Sequence, residues 1–133
     1  MVFKGKEKRS CTRFKIPGAT LSYKKPGLFS TSPNYEDEYC PILDLSLGGL
    51  RFLTQKNLKV NSKLSMKVSY NDNEDSFYLS GKVQWTISNP GFSYKYQVGV
   101  LLNPYGEKEG LNSPEEYAKI KTLEWKYARK DKE

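Results

Sequence analysis

Two short stretches hold residue types able to recognise a small anionic ligand through hydrogen bonds and charge. The first is Asp44-Leu45-Ser46-Leu47-Gly48-Gly49, a carboxylate, a hydroxyl and two glycines set between the apolar runs Cys40-Pro41-Ile42-Leu43 and Leu50-Arg51-Phe52-Leu53. A carboxylate there can accept paired donors, and a hydroxyl can donate or accept. Gly48 and Gly49 are expected to permit positive φ and to leave backbone N–H groups uncovered for a closely approaching ligand. The same composition also suits an ordinary bulged hairpin turn. The second stretch is Lys8-Arg9-Ser10-Cys11-Thr12-Arg13-Phe14, with three residues between its arginines. The chain has only Arg9, Arg13, Arg51 and Arg129, so half of its guanidinium groups fall in one pentapeptide. A guanidinium is a planar fork that grips phosphate through two donors and stacks on aromatic rings, whereas lysine is a mobile point charge. Two forks suit a flat, phosphorylated ligand, although an isolated pair also reads as a solvated basic tail.

The surrounding pattern is that of strands. Ala19-Thr20-Leu21-Ser22-Tyr23 alternates with period two and forms a first strand, and the runs on either side of residues 44–49 form the second and third. Leu64, Met66, Val68 and Tyr70 mark a fourth strand. Phe77, Leu79, Gly81, Val83, Trp85 and Ile87 hold one parity over six positions, a long fifth strand expected to bend at Gly81. Tyr94, Tyr96, Val98, Val100 and Leu102 mark the sixth. Residues 24–39, with Pro26, Gly27, Ser30, Thr31, Ser32, Pro33 and Asn34, read as a long loop. Six antiparallel strands favour a small closed or nearly closed barrel, which removes exposed edges. Ser113-Pro114-Glu115-Glu116 begins a helix with a cap, a first-turn proline and a capping-box glutamate, expected to run to about Arg129. Its apolar stripe is Tyr117, Ile120, Leu123 and Tyr127, with Ala118 and Trp125 widening it or starting another. The helix is expected to cover one barrel end, with a dimerisation or partner helix as the alternative. The chain thus divides into a basic arm over 1–14, a barrel over 15–103, and a linker with helix over 104–133, one domain in all.

Composition narrows the chemistry. The net charge is +7, and residues 1–25 carry eight basic side chains against Glu7 alone, which leaves the remainder balanced at fourteen of each sign. A basic arm beside a neutral domain suggests a local anionic ligand rather than nucleic acid along a broad face. The chain has no histidine, so the commonest general base and metal ligand are missing, and Cys11 and Cys40 read as free thiols. Glu36, Asp37, Glu38, Asp72, Glu74 and Asp75 fall in polar stretches and read as solvated charge. No enzyme activity, metal or cofactor is expected. No apolar run approaches the roughly 18 residues of a membrane span, and Met1-Val2-Phe3-Lys4 leads into charge, so a soluble, cytoplasmic protein is expected.

In this order the two stretches resemble the PilZ family of cyclic di-GMP receptors, marked by Arg-x-x-x-Arg followed by Asp/Asn-x-Ser-x-x-Gly. Both motifs match without substitution, and Gly81-Lys82-Val83-Gln84-Trp85 and Tyr96-Gln97-Val98-Gly99-Val100 look like later strands of that family's barrel, extending the resemblance over roughly residues 8–103. It implies a six-stranded antiparallel PilZ-type β-barrel plus a C-terminal α-helix, and a bacterial, non-enzymatic receptor for cyclic di-GMP. By the family's pattern, Arg9 and Arg13 contact phosphates and guanine faces, Asp44 and Ser46 hydrogen-bond a guanine, and Gly49 gives room for the base. Gly48 and Lys8 complete the candidate set. Lys8 stands where an arginine favours an intercalated ligand pair, and it lacks that flat surface, so one or two ligands per chain both stay open. Closure of the arm is expected to pass the signal to an unidentified protein partner. The alternatives are an interaction module of the same fold with weak or no nucleotide binding, and nucleic-acid binding by the arm, which is not expected.

Overall fold

A computed structural model describes residues 12–26, 34–89 and 93–132, with side chains to Ala128. Six strands run in order, β1 (Thr20–Lys24), β2 (Asp37–Leu45), β3 (Gly49–Thr54), β4 (Lys63–Tyr70), β5 (Asp75–Ser88) and β6 (Tyr96–Leu102), followed by one helix, α1 (Pro114–Lys132). All neighbouring strands are antiparallel and close in the order β1-β2-β3-β6-β5-β4, with β1 pairing back onto β4. The expected six-stranded closed barrel with one C-terminal helix is the architecture observed.

Alternation builds the core. In β4, Leu64, Met66 and Val68 point inward and are buried, while Ser65 and Lys67 take the other face. Tyr23, Phe52 and Phe77 are the large inner fillers, and the Tyr23 and Phe52 rings meet at 5.5 Å between centroids. The β4–β5 turn uses Asn71, Asp72 and Asn73, all at positive φ, which short polar side chains tolerate better than others do. At the barrel end bearing Tyr70 and Asp75, Phe14, Ile16 and Ala19 tuck into the core ahead of β1. The same end receives α1, which buries Ile120 and Leu123 and packs Tyr127 and Ala128 against the core. Ser113 caps α1, its Oγ accepting from the Glu116 N–H at 3.2 Å, and Pro114 opens it. The Glu116 carboxyl lies partly buried, its Oε1 without a hydrogen-bond partner among the described residues, and burial raises its pKa.

Bulges make the principal departures from simple alternation. β2 begins at Asp37 rather than Cys40, and Tyr39 adopts φ 55° where the register with β1 shifts, its N–H donating to Ser22 Oγ. Asp37, expected as solvated charge, instead accepts from Thr54 Oγ1 at 2.6 Å and from the Gln55 N–H at 3.4 Å. β5 does not break register at Gly81. The shift against β6 falls between Val83 and Trp85, at Gln84, and it ends the inward parity, so that Ile87 is exposed and Thr86 turns to donate to the Leu58 carbonyl. On α1 the buried stripe is narrower than expected, because Tyr117 lies at its edge and Trp125 is 66% exposed.

Candidate ligand-binding site

The 46–49 turn is closed by its own hydrogen bonds. Ser46 Oγ accepts from the Gly48 and Gly49 N–H groups at 3.2 and 3.1 Å and donates to the Gly49 carbonyl at 3.2 Å, while Ser46 N–H donates to that same carbonyl at 2.8 Å. The glycine N–H groups are therefore covered by serine, contrary to the expectation from sequence. Neither glycine has positive φ; among the described residues the positive-φ glycines are Gly18 and Gly110. Gly49 is needed for another reason: a Cβ there would lie 2.6 Å from the Val100 carbonyl oxygen, so only glycine lets β3 approach β6 this closely.

Asp44 belongs to the last turn-ward residues of β2 rather than to the turn itself. The register between β2 and β3 shifts between Ile42 and Asp44, one extra residue on β2, which lets Ile42 and Leu45 both face the core although three positions apart. The bulge sets Asp44 on the outer surface opposite Arg51. There Arg51 Nη2 and Nε both donate to Asp44 Oδ2, at 2.6 and 3.0 Å. The hydrogen bonds it donates to Asp44 are the main reason the Arg51 pKa is raised. Arg51 pairs in turn with Gly99 on β6, and Gly99 with Trp85 on β5, so one lateral row across four strands reads Asp44, Arg51, Gly99, Trp85. The indole fills the space where a Gly99 side chain would stand. A cavity of about 520 Å³ opens over this row, its lining including Arg13, Asp44, Ser46, Gly49, Arg51 and Gly48 together with Gln84, Trp85 and Leu101.

The first motif reaches the second through one backbone bridge. Phe14 is buried, its N–H donates to the Leu45 carbonyl at 3.0 Å, and Leu45 N–H returns a bond to the Phe14 carbonyl at 2.9 Å. Arg13, the preceding residue, is thereby held at the cavity with its side chain exposed. Residues 7–110 match the family model described as PilZ domain, which is most of the chain. The chain belongs to the PilZ domain family. No curated protein matches the sequence. PilZ domains are cyclic di-GMP-binding modules and not catalytic ones.

The PilZ barrel here brings together Arg13, Asp44, Ser46, Gly48 and Gly49, five of the seven candidate residues; Lys8 and Arg9 lie outside the described residues. Trp85 and Arg51 are among the wall residues that escaped the sequence reading. Trp85 shares the parity of the core residues before it, and only the bulge at Gln84 turns it outward. Arg51 was visible as one of four arginines, but its pairing with Asp44 depends on the bulge in β2. The clue available in sequence was Gly99, which interrupts the outer face of Val98-Gly99-Val100 and leaves room for a large neighbour. Among the described residues no cluster of acids or cysteines could hold a metal, and no helix is long and apolar enough to cross a membrane.

Proposed function

We propose that this PilZ domain is a cytoplasmic receptor for cyclic di-GMP that acts by binding and not by catalysis. The observation that carries the reading is the convergence of Arg13 with Asp44, Ser46 and Gly49 on one cavity, although thirty residues separate the two motifs. The chemistry of the lining suits the ligand. Arg13 offers an exposed guanidinium for a phosphate, the Asp44 carboxylate suits the N1 and N2 donors of guanine, and the broad face of Trp85 suits a purine. Lys8 and Arg9 would close over the ligand from the N-terminal side, with Arg9 supplying the second fork. Phe14 is buried and bonded to Leu45, which holds Arg13 at the cavity.

The Tyr105 hydroxyl donates to the Leu47 carbonyl at 2.7 Å, and its ring meets Tyr117 of α1 edge-on at 5.4 Å, contacts that would pass a shift of the 46–49 turn to the helix. The unidentified partner would read the altered arm and α1. Calorimetric titration of the full chain with cyclic di-GMP tests the reading, with GTP and the linear dinucleotide as controls. Saturable binding at one or two ligands per chain, with weak response to both controls, is the expected result. Absence of binding would overturn it and leave an interaction module of the same fold.

A further inference from the structure

We propose that Arg51 is a specificity-determining residue of the site, holding the Asp44 carboxylate by Oδ2 so that Oδ1 is left for the guanine edge. The inference rests on the cyclic di-GMP reading and adds a residue that neither motif contains. Its basis is an asymmetry in the ion pair. A guanidinium facing a carboxylate commonly places one donor on each oxygen, the fork-to-fork arrangement. Here Nη2 and Nε both converge on Oδ2, at 2.6 and 3.0 Å, and Oδ1 accepts no hydrogen bond from the described residues. Asp44 is the less exposed partner, its side chain 15% accessible against 35% for Arg51, and both line the cavity. The carboxylate is thus fixed in one rotation with one oxygen unused.

This arrangement solves two difficulties at once. A carboxylate on two rotatable bonds would otherwise lose rotamer freedom when it captures a base, and the pairing with Arg51 imposes that order beforehand. A bare carboxylate would also repel the phosphates that Arg13 attracts in the same cavity, whereas the paired one is neutralised. Cross-strand pairing supports the placement, because Asp44 and Arg51 are direct register partners and β3 is held on its other side by Gly99 of β6. Arg51 therefore acts through Asp44 on the guanine N1 and N2 donors, and its effect should track the chemistry of the base more than the number of phosphates.

The test is calorimetry on the full chain with cyclic di-GMP and with cyclic di-IMP, the analogue that lacks the 2-amino group, for wild type, Arg51→Met, Asp44→Asn and the double variant. The wild type should prefer the guanine ligand. Arg51→Met should lose at least tenfold in affinity for cyclic di-GMP, with the preference for guanine over hypoxanthine reduced towards unity. The double variant should bind no more weakly than Asp44→Asn alone, since both changes remove one unit. An Arg51→Met protein that keeps wild-type selectivity, or whose loss adds in full to that of Asp44→Asn, would overturn the proposal while leaving the receptor reading intact. A wild type that binds neither ligand would remove both. Should Arg51→Met not fold, Arg51→Lys keeps the charge and loses the fork, and the same fall in selectivity is required of it.

Discussion

Strand β2 carries an aspartate at each end, and the two have opposite fates. Asp37 opens the strand, where Oδ1 accepts from the Glu38 N–H at 3.1 Å and Oδ2 accepts from Thr54 Oγ1 and the Gln55 N–H. Thr54 is fully buried and shares its hydroxyl with Tyr23 at 3.0 Å, so this carboxylate is tied through a short chain of bonds into the core. Asp44, seven residues on, has one side-chain partner among the described residues, Arg51, on one oxygen, and faces a cavity. Burial alone would raise the Asp37 pKa, but the bonds from Thr54 and Gln55 outweigh it and the value falls below the ordinary carboxylate range. Both acids are polar groups at strand ends. The difference is whether the fold uses the acceptor capacity or leaves part of it open, and an open, oriented oxygen beside a cavity is what marks a binding residue.

The comparison can be broken most severely at the cavity. Arg13→Ala should weaken cyclic di-GMP binding by roughly 1.5–3 kcal/mol, about ten- to more than a hundredfold, with the denaturation midpoint unchanged. Arg129→Ala serves as the control and should bind as the wild type does. Equal affinity of the two variants in a titration would mean that Arg13 takes no part.

At the other end of β2 the effect should fall on stability and spare the ligand. Thr54→Val leaves the Tyr23 hydroxyl and Asp37 Oδ2 without their shared partner, which should cost about 1–3 kcal/mol in urea unfolding. Affinity for cyclic di-GMP should stay within twofold of wild type. A variant that kept its stability and lost the ligand would reverse the roles assigned to the two ends.

A smaller effect concerns pH. The folded pKa of Asp37 lies below its unfolded value, so its contribution to stability is complete above the unfolded pKa, about 4, and is lost as pH falls through the folded one. Asp37→Asn should therefore flatten the acid limb of the stability profile below about pH 4 and leave a lower plateau at neutral pH. An unchanged acid limb would count against the network.

The smallest signal sharpens the comparison without altering either site. Cys40 is fully buried beside Asp37, and burial first, then the neighbouring carboxylate, pushes its thiol up to about 12. Native protein should leave Cys40 unlabelled by a thiol reagent at pH 8 over hours, with labelling restored in denaturant, as peptide mapping would report. Rapid native labelling would show that this end of the barrel opens.

Some of this was written along the chain. Strand period and the Ser113–Pro114 helix start depend on each residue's own conformational preferences and on its nearest neighbours, so they are legible one segment at a time. The two motifs were legible as well, because arginine, aspartate, serine and glycine at fixed spacing carry their chemistry in their types. Bulges are different, since an extra residue in one strand has meaning only against the partner strand whose register it shifts. The bulge before Asp44 decides that Arg51 is its partner, and the bulge at Gln84 decides that Trp85 faces the cavity and not the core. The same holds for the bridge from Phe14 to Leu45, which brings the arginine of one motif to the carboxylate of the other. Pairing across strands is settled when the barrel closes, and a closed barrel favours registers that keep the inward positions mostly apolar, so the tertiary structure completed a site whose main residues the sequence already contained.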